Sequence, residues 1–264
     1  MRDDVSAMAN ADIHSKWVAT YRTAEAQAFY EMAFDDIVRR LAPAPGSVIL
    51  DAGCGSCAKS VLLAARGLQV VGTDFSQSAL DLAAGTVAEH GVSDRISLQR
   101  EDLTALSFAD GQFKYILCWG VLMHVPEVQK ALAELARVLA PGGLLVLSEA
   151  NMYSVQAVTL RTLRRLMGRG RARVVRTRAG LESHETTASG NLLTRETDIG
   201  WLVAEAGRNG LRLRSRTAGQ LTELYAVAPW QSVRRAIHQV NRFWFKRVQL
   251  AGPAFANIVM LEKP

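Results

Sequence analysis

Three cysteines in 264 residues, Cys54, Cys57 and Cys118, are too few and too odd in number to frame a fold with disulfides. That scarcity points to a reducing compartment. No apolar run approaches the roughly 18 residues of a membrane-spanning helix. The opening Met1-Arg2-Asp3-Asp4 is acidic where a secretory signal would be basic, so the expected location is the cytoplasm. There is no internal repeat and no low-complexity tract. Hydrophobic residues at 49% and charged residues at 21% are ordinary for a globular chain, which excludes disorder, collagen and a highly charged coiled coil. The length suits one elaborated α/β unit carrying insertions.

Charge is present but unevenly placed. Residues 1–150 hold 12 Lys/Arg against 18 Asp/Glu, a net of −6, whereas residues 151–264 hold 19 against 7, a net of +12. Either the second half meets an anionic partner or its cations are a solvated face.

Between Gly46 and Asn151 short β-rich runs alternate with longer helical stretches, the pattern of a parallel sheet covered by helices. Strands are expected at Ser47–Asp51, Leu68–Asp74, Ile96–Arg100, Phe113–Trp119 and Gly143–Glu149. Helices are expected at about Ala58–Ala65, Ser76–His90 and Val125–Leu139, with Ser76 as an N-cap and Gly91 and Pro141-Gly142-Gly143 as stops. The first forty residues read as one or two helices with an aromatic face of Trp17, Tyr21, Phe29, Tyr30 and Phe34. Beyond Asn151 the rhythm breaks, with eight arginines between Arg161 and Arg178. It returns with a helix at about Arg195–Ala206, a strand at Leu211–Thr217 and, after a second interruption at Ala218–Pro253, a strand near Asn257–Glu262.

The chemistry concentrates at Val48-Ile-Leu-Asp-Ala-Gly-Cys-Gly-Ser-Cys57. A β-rich run ends in Asp51 and is followed by two glycines spaced by one residue, where backbone can approach a ligand with no Cβ in the way. Val70-Val-Gly-Thr-Asp74 is a second strand ending in an acid, placed to offer a carboxylate to ribose hydroxyls. With Glu101-Asp102-Leu103, Cys118-Trp-Gly-Val-Leu-Met-His124 and Leu139-Ala-Pro-Gly-Gly-Leu-Leu, these landmarks stand in order at the right spacing. Together they resemble the class I S-adenosylmethionine-dependent methyltransferases, whose glycine motif D/E-x-G-x-G-x-G is matched by Asp51, Gly53 and Gly55 and departed from at Cys57. The likeness covers about Gly46–Asn151 and the final strands.

That resemblance implies S-adenosyl-L-methionine as cofactor and a doubly wound, mostly parallel seven-stranded Rossmann-like sheet. The expected parts are an N-terminal helical cap (1–45), a cofactor-binding core (46–151), a basic lid insertion (152–193), more core (194–217), a second lid insertion (218–252) and a final strand (253–264). It assigns Asp51, Gly53 and Gly55 to the methionine moiety, Asp74 to the ribose, Phe75 to the adenine face, and Asp102 and Leu103 to the adenine edge. Trp119 would line the transfer site, and Tyr21 would close over the cofactor. Cys54 and Cys57 read as small residues beside it, since zinc would need two further ligands and no metal site is expected. A nicotinamide dehydrogenase is the competing reading, and it fails on residues: a dinucleotide turn wants G-x-G-x-x-G, and Asp51 suits an ammonium better than a diphosphate.

His124 falls beyond the carboxyl end of the fourth strand, the edge where open α/β sheets bind ligands, so it is the candidate general base, with His14 and His184 as substitutes and packing as the alternative. On a helical wheel Val155–Met167 is basic and amphipathic. In Ser232–Val248 a face of Val233, Ala236, Ile237, Val240, Phe243 and Trp244 leaves Phe245 among arginines. These helices are expected to pack as lids over the pocket with solvated basic backs, or else to meet a membrane or an anionic ligand. The expected activity is O-methylation of a hydroxyl on a small or lipid-linked acceptor, with N-methylation, a nucleic-acid substrate and a non-catalytic binding protein as the other classes. Nucleic acid is disfavoured because Trp-Gly-Val-Leu stands after the fourth strand in place of an Asn/Asp-Pro-Pro-Tyr segment.

Overall fold

The computed structural model describes residues 7–8, 10, 13–15, 23–167, 173–188 and 190–264. Ten strands are β1 (Val48–Ala52), β2 (Gln69–Asp74), β3 (Ile96–Arg100), β4 (Phe113–Trp119), β5 (Leu139–Ala150), β6 (Arg173–Arg176), β7 (Gly180–Thr187), β8 (Gly190–Thr197), β9 (Arg212–Ala218) and β10 (Ala256–Glu262). The helices are α1 (Ala24–Leu41), α2 (Ala58–Ala65), α3 (Gln77–Glu89), α4 (Val128–Val138), α5 (Val155–Leu166), α6 (Ile199–Arg208) and α7 (Gln231–Phe243). Seven strands form one sheet in the order β3-β2-β1-β4-β5-β10-β9, and β6-β7-β8 form a second, antiparallel one.

The order reverses between β1 and β4, both of which run parallel to their neighbours, so the carboxyl ends of these strands open a crevice. β10 returns antiparallel between β5 and β9. Alternation along each central strand feeds two cores. Ile49, Leu117 and Val146 face α1, α2 and α3, while Leu50, Ile116, Leu145 and Leu147 face α4 and α6. α4 shows the matching helical period, burying Val128, Ala131, Leu132, Leu135 and Ala136. Side-chain caps start four of the helices: Thr23 accepts from Ala26 N (3.2 Å), Ser76 from Ala79 N (3.3 Å), Ser154 from Ala157 N (3.2 Å) and Asp198 from Trp201 N (3.0 Å).

Of the expected aromatic face, Phe29, Tyr30 and Phe34 are buried on α1, and Trp17 and Tyr21 lie outside the described residues. Three expectations need correction. Pro141-Gly142-Gly143, expected as the stop of the helix ahead of the fifth strand, lies inside that strand: α4 stops at Val138, β5 begins at Leu139, and the run forms an irregularity against β4. Gly143 is required there, because a Cβ would stand 2.7 Å from Ala140 O and 2.8 Å from Lys114 O. Arg195 is not helical: β8 runs to Thr197, with Leu193, Arg195 and Thr197 inward, and α6 starts only after the Asp198 cap. The first insertion is therefore a helix followed by a three-stranded sheet that ends four residues later than expected.

That small sheet is fastened to the core by Arg195, which is 1% exposed. Its guanidinium donates to Leu122 O (2.7 Å), Val125 O (3.1 Å) and Glu182 Oε1 (3.0 Å). Removing one side of a buried ion pair strands its partner, here together with two carbonyls. Arg195→Leu should thus cost about 3–5 kcal/mol of unfolding free energy in urea titrations; an unchanged midpoint would show that the small sheet docks without it.

Candidate active site

Near the end of β1 stands Asp51, which is buried and accepts from Ser60 Oγ at 2.5 Å. Burial pushes its carboxyl up to about 6, against the pull of the Ser60 hydrogen bond and the nearby Lys59 charge. The next residues turn sharply. Gly53 N and Cys54 N donate to Thr73 O (2.8 and 2.7 Å), and Gly55 N donates to Asp74 Oδ2 (3.0 Å), which ties the turn to the end of β2. Asp74 Oδ1 accepts from Ser76 N (2.9 Å), and burial raises this carboxyl too, despite those backbone donors. Cys57, at the third glycine position of the motif, holds φ +59°, the left-handed conformation a glycine takes freely. The Cys54 and Cys57 thiols lie over Gly72, where a Cβ would meet their sulfurs at 3.3 and 3.4 Å.

A cavity of about 710 Å³ opens along this edge. Asp51, Gly53, Cys54, Gly55, Asp74, Phe75, Asp102, Leu103, Trp119 and His124 all line it, so ten of the eleven expected site residues converge. The eleventh, Tyr21, lies outside the described residues. Trp119 is held by Phe34 and Tyr30, with ring centroids 5.3 and 6.2 Å away. Asp102 Oδ1 accepts from Thr104 N and Oγ1 (2.8 and 2.7 Å), which shapes the turn after β3.

His124 closes a short 3₁₀ turn after β4 and places its Nδ1 2.7 Å from Leu193 O on β8. Since a carbonyl only accepts, Nδ1 carries the proton and Nε2 is the basic nitrogen. Burial lowers the imidazole to about 4, opposed by the Leu193 bond and reinforced by the Arg195 charge. The ring is therefore neutral at physiological pH. His14 also lines the cavity, bonded to Met8 O at 2.8 Å, whereas His184 sits on β7 and does not line it.

Sequence reading missed three charged wall residues. Lys59 lies 4.5 Å over the Tyr30 ring and is lowered to about 8 by burial, against the Asp51 and Glu223 charges. Glu223 comes from the second insertion. Glu149, near the end of β5, accepts from Leu122 N at 3.0 Å, while its buried Oε2 has no hydrogen-bond partner among the described residues. Burial pushes it up to about 8. The only sequence signal for Glu149 was its place at the end of an apolar strand, the same signal that marked Asp51 and Asp74.

The expected lids are not where the wheel put them. No residue of α5 or α7 lines the cavity; the insertions reach it instead through Leu192, Thr194, Gln220 and Glu223. Phe245 is buried against Phe29, with ring centroids 5.5 Å apart, while Phe243 is exposed. Phe245 shares an ordinary helical face with His238 and Asn241, so α7 and the π-helical turn over Trp244–Val248 present to the core the face that the wheel reads as polar.

A doubly wound sheet with a glycine cradle and acids at its carboxyl edge defines a nucleoside-cofactor transferase fold. A family model described as methyltransferase domain matches residues 49–143. The ubiquinone biosynthesis O-methyltransferase of Thiobacillus denitrificans is 32% identical over 187 residues, covering 62% of this chain and 79% of that protein. The chain belongs to the S-adenosylmethionine-dependent methyltransferase family. The demethylmenaquinone methyltransferase of Clavibacter sepedonicus is 38% identical over 120 residues, 46% of this chain and 48% of its own length. This chain thus spans about half of that relative. In fold it is similar to the magnesium protoporphyrin IX methyltransferase of Synechocystis PCC 6803, solved with bound SAH, at a TM-score of 0.65 and 19% identity over 97% of this chain and 96% of that one.

Two outcomes follow from this geometry. Gly53 has φ +81°, and a Cβ there would stand 2.6 Å from both Val121 methyl groups. Gly53→Ala should lower unfolding stability by about 2–5 kcal/mol, combining left-handed strain with overpacking; a wild-type urea midpoint would show that the turn yields. Glu149, held near 8 when folded against an ordinary 4.5, stays protonated where the unfolded chain has ionised. Its contribution is full below about pH 4.5 and is lost as pH rises toward 8, at roughly 1.4 kcal/mol per pH unit within that window. Glu149→Gln should flatten this decline in melts taken between those limits, and an unaltered slope would place the titration elsewhere.

Proposed function

We propose that this cavity binds S-adenosylmethionine and transfers its methyl group to a hydroxyl on a small or lipid-linked acceptor. The observation that carries the reading is the pair of buried carboxylates, Asp51 and Asp74, flanking a turn in which Gly53 and Gly55 carry no Cβ, in an otherwise largely apolar cavity. The residues fit the cofactor. Asp51 is a buried acid to which an ammonium would supply the counter-charge that burial withholds. Asp74, anchored by Gly55 N and Ser76 N, keeps lone pairs for ribose hydroxyls. Phe75 and Leu103 offer apolar surface for the adenine, and Asp102 offers an acceptor at its edge.

The sulfonium, when bound, supplies an already activated methyl group. What remains for the chain is positioning, exclusion of water and removal of one proton. Trp119, braced by Phe34 and Tyr30, walls the region between the cofactor cradle and the turn that bears His124. His124 Nε2 accepts the hydroxyl proton. An oxygen becomes strongly acidic as it gains a methyl group, so an imidazole titrating near 4 still takes its proton while staying neutral beforehand. Apolar walls such as Phe29, Met123, Val125 and Phe255 favour an acceptor with a hydrophobic body. Relatives named for ubiquinone and demethylmenaquinone methylation support that class.

Calorimetry with S-adenosylmethionine and with its demethylated product tests the cofactor assignment. A hydrogen bond to a charged partner is worth about 1.5–3 kcal/mol, so Asp51→Ala and Asp74→Ala should each weaken binding about tenfold or more. Unchanged affinity in both would sink it. Across hydroxyl, amine and RNA acceptors, methyl-donor consumption should be greatest with hydroxyls on apolar bodies, and His124→Ala should reduce turnover by about 10²–10⁴ with cofactor affinity retained. Near-normal turnover would assign His124 to packing and move the proton to His14. Because His124 titrates near 4, the acid limb of the rate should fall around pH 4 and not near 6.5; a limb near 6.5 contradicts its role.

A further inference from the structure

Helices α5 and α7 are amphipathic, yet each turns its apolar arc outward. On α7 the side chains that pack inward are His238 and Asn241, with Phe245 just beyond, while Val233, Val240 and Phe243 face solvent. On α5 only Ala157 is buried, and Val155, Val158, Leu163 and Leu166 are exposed. Leu166 is 78% exposed, Val227 77%, Trp230 68% and Phe243 62%. Surface apolar residues are common singly, but a set of this size on two helices and the segment leading into α7 needs a partner.

Both helices meet one short segment. Gln156 Oε1 on α5 accepts from Glu223 N (2.8 Å) and from the Thr222 hydroxyl, while Asn241 on α7 accepts from Thr222 N (3.1 Å) and donates to Thr222 O (2.9 Å). Glu223 itself lines the cavity, so both helices are anchored to a segment of its wall. The same elements carry exposed cations: Arg164 and Arg165 on α5, Arg234 and Arg235 on α7, the latter paired with Glu25, and Lys246 and Arg247 on the π-helical turn. An open recess of about 210 Å³ at the end of α7 is lined by Gln239, Arg242, Phe243, Lys246 and Arg247, three cations around one exposed aromatic ring.

We propose that α5, α7 and the π-helical turn form a docking surface for an anionic lipid bilayer, with the apolar arcs entering the interface and the Arg242-Lys246-Arg247 recess taking a phosphate headgroup. Charge complementarity selects this occupant. Residues 151–193 carry +6 and residues 218–252 carry +4, so a second copy of the chain packed on the same face would set like charges against each other. Nucleic acid would use the arginines but would leave aliphatic side chains such as Leu166 and Val240 without a role. A bilayer uses both, and a helix with an apolar arc flanked by Lys and Arg lies in such an interface. Among the described residues no helix is long and apolar enough to cross a membrane, so contact would be peripheral. The surface goes beyond the methyl-transfer reading and does not depend on it, though it would bring a lipid-linked acceptor to the cavity.

Co-sedimentation with phosphatidylglycerol–phosphatidylcholine vesicles and with pure phosphatidylcholine vesicles tests it, at about 0.05 and about 0.5 M salt. The wild-type chain should partition onto the anionic vesicles, ignore the neutral ones, and be released at the higher salt. A cation near an anionic leaflet is worth about fivefold in partition, so Arg242→Gln, Lys246→Gln and Arg247→Gln together should weaken binding by about 10². Leu166→Ser with Phe243→Ser should weaken it by about tenfold or more, with cofactor affinity and thermal melting unchanged in both variants. If the serine pair unfolds, the glutamine triple, which alters surface side chains only, decides alone. Equal sedimentation on both vesicle types, or variants that bind like wild type, overturns the proposal. So does a concentration-dependent dimer abolished by Phe243→Ser, or retention on RNA without vesicle binding. A wild-type chain that binds vesicles but no cofactor would sink the methyl-donor reading and leave the docking surface standing.

Discussion

Three carboxyl groups, Asp51, Asp74 and Glu149, are buried at one edge of a parallel sheet, and folding alone does not repay them. Each is raised by burial, and Glu149 Oε2 has no hydrogen-bond partner among the described residues. A buried acid persists only where its surroundings cannot relax around it. Here β1, β2, β4 and β5 are locked in parallel register and sandwiched by two apolar cores, so their carboxyl ends point into the same crevice whatever residues stand there. The rigid sheet thus stores the cost of desolvation at the place where a cationic ligand can recover it.

A second constraint links the first insertion to that edge. Arg195 on β8 holds the carbonyls of Leu122 and Val125, and Leu193 on the same strand accepts from His124. The small antiparallel sheet is therefore a brace for the turn after β4 and not a hinged cover. It fixes the histidine tautomer and supplies Leu192 and Thr194 to the cavity wall. The shape of the cavity wall and the docking of the small sheet share the same few hydrogen bonds.

The helices of the two insertions stand away from the cavity wall. Freed from covering the cavity, α5 and α7 hold to the body through Gln156, Asn241 and Phe245, which leaves their apolar arcs outward and their cations beside them. The opposite charge of the two halves of the chain then has a spatial side: Asp51, Asp74 and Glu149 gather at the carboxyl edge of the sheet, and the exposed cations of the insertions do not line the cavity.

The sequence alone determined the sheet, because its strands alternate or run apolar with period two and its helices with period 3.6, signals that depend only on neighbours in the chain. Ile96–Arg100 and Phe113–Trp119 match residue for residue, and the others fall within a few residues, apart from the early start of β5. It also determined the cofactor edge, since in this topology a residue at the end of a strand reaches the crevice wherever the intervening helices lie. Tertiary structure decided the rest. Glu149, Lys59 and Glu223 become site residues only when β5, α2 and the second insertion meet, and no spacing rule relates positions so far apart. The orientation of α5 and α7 was equally hidden, because an amphipathic pattern says that one face differs from the other and not which of them meets the protein. Here polar anchors such as Asn241 turned inward, and Phe245, on the same face as His238 and Asn241, went to the core while Phe243 stayed exposed.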